Sequence, residues 1–188
     1  MRPRILMLNG SPGGSKGNTA TLLDRMAAVL TPTADPSICH LAEMPDADWD
    51  TLLRASDGVV LSTGTYWDGW GSPLQRFLEV TTPLEATAAW IGKPVACLVT
   101  AHAVGGKGVL SRLQGVVNTL GALIPPFGGL VLTEAGQVAA SAGHADMWST
   151  DDLAIVAHNL VEACRGSRDW RAWPVDRGDP GRLWLAPD

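Results

Sequence analysis

The stretch Asn9-Gly10-Ser11-Pro12-Gly13-Gly14-Ser15-Lys16-Gly17-Asn18-Thr19 joins the apolar run Arg4 to Leu8 to a segment where Leu22, Leu23, Met26 and Leu30 recur at helical spacing. The order is strand, glycine- and hydroxyl-rich turn, helix. Such a turn leaves backbone N–H groups unpaired beside the positive end of a helix dipole, and Ser, Thr and Asn add neutral donors, so it suits an anion such as a phosphate. Two common nucleotide loops do not fit the spacing. A Walker A loop counted from Gly10 needs glycine where Ser15 stands and Ser or Thr where Gly17 stands, and the dinucleotide fingerprint needs glycine where Pro12 stands. Gly13-Gly14-Ser15-Lys16-Gly17 also matches the Gly-x-Ser-x-Gly nucleophile elbow, with Asp146 or Asp151 and His158 following in hydrolase order. That elbow sits directly at a strand end, after several earlier strands. Here one strand precedes and loop residues intervene, so the context argues against a hydrolase.

Outward from this turn, five short runs rich in Val, Ile and Leu alternate with longer segments of helical period. They are Arg4 to Leu8, Ser37 to Leu41, Gly58 to Ser62, Pro94 to Thr100 and Phe127 to Leu132. This is the pattern of an α/β protein, a parallel sheet with crossover helices. Val109, Leu113, Val116, Val117 and Leu120 mark a helix after the fourth run, and Trp49, Leu52 and Leu53 a shorter one between the second and third. Ser72 is the expected N-cap of the third crossover helix, with Pro73 at the first helical position and Gln75 at the capping-box position. The last helix is expected after Thr150, with Asp151 and Asp152 in its first turn and Leu153, Val156, Ala157, Leu160, Val161 and Cys164 on one face. Residues 1–165 are expected to form one domain. Residues 166–188, rich in Trp, Pro and Arg, read as an arm of the same domain, laid over it or over a second subunit.

The 188 residues are 46% hydrophobic and 18% charged, which excludes a disordered chain. With a net charge of −5 and scattered Lys and Arg, nucleic acid is not an expected partner. Cys39, Cys97 and Cys164 lie far apart and read as reduced thiols, and His40, His144 and His158 show no ligand spacing, so no metal is expected. No run approaches the roughly 20 apolar residues of a membrane span, and the expected location is the cytoplasm. Eight Trp stand against two Phe and one Tyr. Indole is therefore expected at a few surfaces, the mouth of a site and the face under the tail, and not in a generally aromatic core.

In an open parallel sheet, ligands bind beyond the carboxyl ends of the strands, so the loops after strands one, three and four should line one crevice. The second of these is Thr63-Gly64-Thr65-Tyr66-Trp67-Asp68-Gly69-Trp70-Gly71, and the third is Thr100-Ala101-His102-Ala103-Val104-Gly105-Gly106-Lys107. Glycines and aromatics together offer N–H groups and flat faces to a heteroaromatic ring. With Ser72-Pro73-Leu74-Gln75-Arg76-Phe77-Leu78-Glu79, these loops resemble those of the NAD(P)H-dependent FMN reductases, flavodoxin-like flavoproteins, over residues 4 to 165.

The resemblance implies a doubly wound five-stranded parallel sheet of order 2-1-3-4-5 with FMN as cofactor. It assigns the FMN phosphate to Ser11, Ser15, Lys16, Asn18 and Thr19, and the ring to Tyr66, Trp67, Asp68 and Gly69. Thr100, His102, Gly105 and Gly106 would close the site from the third loop. Hydride would pass from NADPH or NADH to the flavin and on to a small acceptor such as a quinone, an azo compound or free flavin. No protein acid or base is obligatory for this, and His102 stands either as a ring or substrate contact or as a residue that holds its loop. The family often carries arginine where Gly13 stands and proline where Thr65 stands. A flavodoxin-type electron carrier without NAD(P)H turnover and a flavin-free binding protein of the same fold are the alternatives. Similar proteins are commonly homodimers or homotetramers.

Overall fold

The computed structural model describes residues 1–143 and 148–166. Five strands, β1 (Arg4–Asn9), β2 (Asp35–His40), β3 (Gly58–Gly64), β4 (Val95–Ala101) and β5 (Gly129–Thr133), form one parallel sheet of order β2-β1-β3-β4-β5. The helices are α1 (Asn18–Leu30), α2 (Trp49–Ala55), α3 (Ser72–Thr81), α4 (Gly106–Thr119), α5 (Glu134–Ser141) and α6 (Leu153–Arg165). This is the flavodoxin-like arrangement. The expected tail, with Trp170, Trp173 and Trp184, and also His144 and Asp146, lie outside the described residues.

The central strands read as unbroken apolar runs because both faces of the sheet are covered. Leu6 and Leu8 of β1, Val59 and Leu61 of β3, and Val95, Cys97 and Val99 of β4 face one core with residues of α2, α3 and α4. Ile5, Met7, Val60, Ala96 and Leu98 face the other, with α1 and α6. In register, Cys39, Leu8, Leu61, Cys97 and Gly129 form one row across the sheet. Complete burial in that row pushes the Cys97 thiol up to about 12, and partial burial raises that of Cys39.

Four expectations need correction. The N-cap of α3 is Gly71, which lends no side chain to the helix, so Ser72 is its first residue and Pro73 comes one place later. The Gln75 amide does not turn back to the cap: its Oε1 accepts from Trp70 Nε1 at 2.7 Å and its Nε2 donates to Glu79 at 2.7 Å. The last helix opens as a tight turn over Thr150–Asp152, closed by a capping box in which Ser149 and Asp152 bond each other's backbone. Finally, Trp90 and Trp49 are core residues, 0% and 7% exposed. Phe77 stands edge-on between them, with ring centroids 5.3 Å from Trp49 and 6.1 Å from Trp90. An aromatic core therefore exists under α3, built mainly of indole.

No helix among the described residues is long and apolar enough to cross a membrane.

Candidate functional site

The sheet order reverses between β1 and β3, and the chain leaves those strands in opposite directions, which opens a crevice at their carboxyl ends. The first turn is shaped mainly by its own polar groups. Asn9 Nδ2 donates to Gly14 O at 2.6 Å, Asn9 Oδ1 accepts from Ser11 N at 3.0 Å, and Ser11 Oγ accepts from Gly13 N at 3.2 Å. A carboxylate holds the outside: Glu43 Oε1 accepts the Ser15 N–H at 2.7 Å. The Ser15 backbone and hydroxyl, with His40 and Lys16 nearby, keep the Glu43 carboxyl below its ordinary range. Inside, Gly17 is the N-cap of α1 and gives it no side-chain hydrogen bond, so the helix's first N–H groups have no intrahelical partner and its positive dipole end lies at the cleft wall formed by Gly17, Asn18 and Thr19.

The second loop is a two-residue hairpin. Tyr66 and Gly69 exchange both backbone bonds at 2.8 Å, and Trp67 and Asp68 between them have φ of 48° and 58°, a type I′ turn. A left-handed Trp costs on the order of 1 kcal/mol and this one is fully exposed at the tip. Tyr66 OH lies 2.9 Å from Ser11 Oγ, tying the first loop to the second. In the third loop Gly105 takes φ 85° and caps α4; a side chain there would collide with Asp68 Oδ1. Thr65 N donates to Thr100 O at 2.8 Å, and Thr100 Oγ1 lies 3.1 Å from Thr19 Oγ1.

These contacts frame a cleft of about 700 Å³. Of the expected residues, Ser11, Lys16, Asn18, Thr19, Tyr66, Thr100 and His102 line it. Ser15 stands outside the lining with its N–H on Glu43, and Trp67, Asp68, Gly69, Gly105 and Gly106 shape the neighbouring loops without lining it. His102 Nδ1 lies 2.5 Å from Glu134 Oε2, and both residues line the mouth, so His102 bridges its loop to the start of α5 and also faces the cleft.

Several lining residues escaped sequence reasoning. Arg25 lies seven positions beyond Asn18 on α1, with Thr21 and Leu22 between them in the same wall, so it brings a cation to the cleft where Gly13 brings none. Helical spacing counted onward from Asn18 was the available signal. Thr133, Glu134 and Gln137 form the far wall. Thr133 caps α5 by accepting from Gly136 N at 2.9 Å, and a Thr followed by an acidic first turn was the sign of that helix. Thr65 also lines the cleft, and its Oγ1 is buried without a protein partner.

The donor set suits FMN. Hydroxyls, uncapped N–H groups and two cations, Lys16 and Arg25, line one cleft with the orphaned Thr65 hydroxyl and Tyr66, a set of donors and a flat wall that a phosphate and a polar heteroaromatic ring would match.

The family model described as NADPH-dependent FMN reductase matches residues 3–137. No curated protein sequence matches the chain. Among solved structures, RosB with its bound intermediate OHC-RP (8-demethyl-8-formylriboflavin-5'-phosphate) is similar, with a TM-score of 0.70 and 14% identity over 99% of this chain and 96% of that one. An oxidoreductase from Corynebacterium diphtheriae has a TM-score of 0.65 at 17% identity, covering 88% of this chain and 98% of its own. The NADH:FMN oxidoreductase EMOB in its apo form has a TM-score of 0.62 at 18% identity, covering 87% and 88%. At these identities the likeness is one of fold.

Proposed function

Because the chain belongs to the NADPH-dependent FMN reductase family, we propose that it binds FMN in the cleft between its first three strand-end loops and oxidises NAD(P)H for a small acceptor, a quinone, azo compound or free flavin. The observation that carries this reading is the convergence, in one cleft, of an uncapped helix start and a buried hydroxyl without a protein partner. Bound FMN supplies the hydride and electron chemistry that side chains lack.

The protein's part is to hold and to orient. Ser11, Asn18, Thr19 and the first turn of α1 would take the phosphate, with Lys16 and Arg25 balancing its charge. Glu43 keeps the turn in shape from outside, and Tyr66 walls the ring end. Thr65 Oγ1 would give its unspent hydrogen bond to a polar ring edge. The first N–H groups of α4 have no intrahelical partner and lie behind Gly105, so they place positive potential beside the third loop, where negative charge on the ring would be stabilised.

Titration with FMN and with riboflavin, followed by flavin fluorescence, tests the phosphate assignment. FMN is expected to bind at least about tenfold more tightly, since several charge-assisted hydrogen bonds are lost with the phosphate. Equal affinity for the two would contradict it, and no uptake of either would overturn the reading as a whole.

A further inference from the structure

A second cleft, of about 530 Å³, opens on the other side of Tyr66. Tyr66 walls both clefts, and the second is completed by Pro12, Gly69, Trp70, Ser72, Gln75 and Arg112. The Trp70 indole is held by its bond to Gln75, and the Arg112 guanidinium stands over its ring at 5.8 Å. Arg112 makes no ion pair with any described residue, and no carboxylate lines the cleft. An exposed cation parked against an indole, beside a hydroxyl and a second aromatic wall, suits a flat ring that carries an anionic group.

We propose that this cleft seats the 2'-phosphoadenosine end of NADPH, with Arg112 as the phosphate ligand and Trp70 and Tyr66 as the walls for adenine. This rests on the reading of the first cleft as the FMN site. A dinucleotide has two ends, and two clefts that share one wall let its nicotinamide end lie toward the flavin while the phosphorylated end is held apart. Arginine matches the task because its planar fork pairs with phosphate oxygens in two places at once. The inference therefore assigns preference for NADPH over NADH to a residue outside the FMN cleft.

Adenosine 2',5'-bisphosphate and 5'-AMP serve as probes, titrated into the whole protein by calorimetry, with the wild type and Arg112→Gln compared. The bisphosphate is expected to bind the wild type about tenfold or more tightly than 5'-AMP, as befits a charge-assisted contact, and Arg112→Gln to erase the difference. In turnover, the ratio of kcat/KM for NADPH to that for NADH is expected to fall about tenfold in the variant. Equal binding of the two probes by the wild type, or an undiminished preference in Arg112→Gln, would overturn the assignment. FMN titration of both proteins separates the two readings: a variant that binds FMN normally yet loses the bisphosphate supports the second cleft, whereas failure of both proteins to bind FMN refutes the first.

Discussion

Thr65 brings to the cleft a buried hydroxyl that has no protein partner, and that has a chemical consequence. A buried hydroxyl without a partner costs free energy, and an isosteric apolar group relieves that cost. Thr65→Val is therefore expected to leave the thermal midpoint of the FMN-free protein equal or slightly raised, while weakening FMN several-fold, as read by fluorescence titration. A lowered midpoint with unchanged affinity would show that the hydroxyl serves the fold instead. Glu43 makes the complementary case, since it lies outside the cleft and acts through the Ser15 N–H. Its carboxyl titrates below the usual 4.5, so the ionised form stabilises the fold fully above that value and the contribution fades as pH falls through the lowered one. Glu43→Gln should flatten the acid limb of stability measured by urea unfolding between pH 7 and pH 3. Glu43→Ala should in addition weaken FMN about threefold to tenfold at neutral pH, because the turn loses its outer hydrogen bond; full retention of affinity would contradict a positioning role. Neither Glu43 nor Arg25 was legible in the sequence as a site residue. One reaches the turn from the segment after β2, and the other comes to the cleft only through the helical repeat of α1.

The elements show what pattern reading captures and what it leaves out. The central strands and α1, α3, α4 and α6 were legible because each buries a full apolar stripe against the sheet. Helix α5 was not, since Gly136 is its only buried residue and its one large apolar side chain, Val138, is exposed. The start of α3 was misjudged by one residue because the conformation that caps it belongs to a glycine rather than to a serine hydroxyl. That glycine is required by proximity: a Cβ on Gly71 would strike the Gly10 carbonyl and Pro12 of the first loop. Gly71→Ala should cost about 1–3 kcal/mol by the usual measure of overpacking and loosen FMN binding with it. The aromatic core under α3 is expected to matter more. Phe77→Ala removes the ring between Trp49 and Trp90 and should cost about 3–5 kcal/mol in chemical denaturation. A loss under 1 kcal/mol would show that the three rings do not act as one packed unit.

Across the whole molecule, the strand order and the meeting of the three loops at one cleft were foreseeable because those loops, each only moderately specific, occur in the order that a doubly wound sheet requires. The distribution of indole was foreseeable only in part. Composition alone does not say which tryptophans are structural, and Trp49 and Trp90 are buried because the faces of α2 and the segment before β4 turn inward. Trp67 and Trp70 do belong to the loop beside the cleft, one at an exposed tip and one in the wall of the neighbouring cleft. FMN-dependent oxidation of NAD(P)H is tested most directly by the visible flavin band of the FMN-loaded protein when NADPH is added in the absence of oxygen. The band should bleach with about one equivalent of NADPH, because two electrons reduce one flavin, and return when a quinone is supplied. A loaded protein whose band persists under excess NADPH and NADH would contradict the proposed activity and leave a carrier of electrons on the same fold.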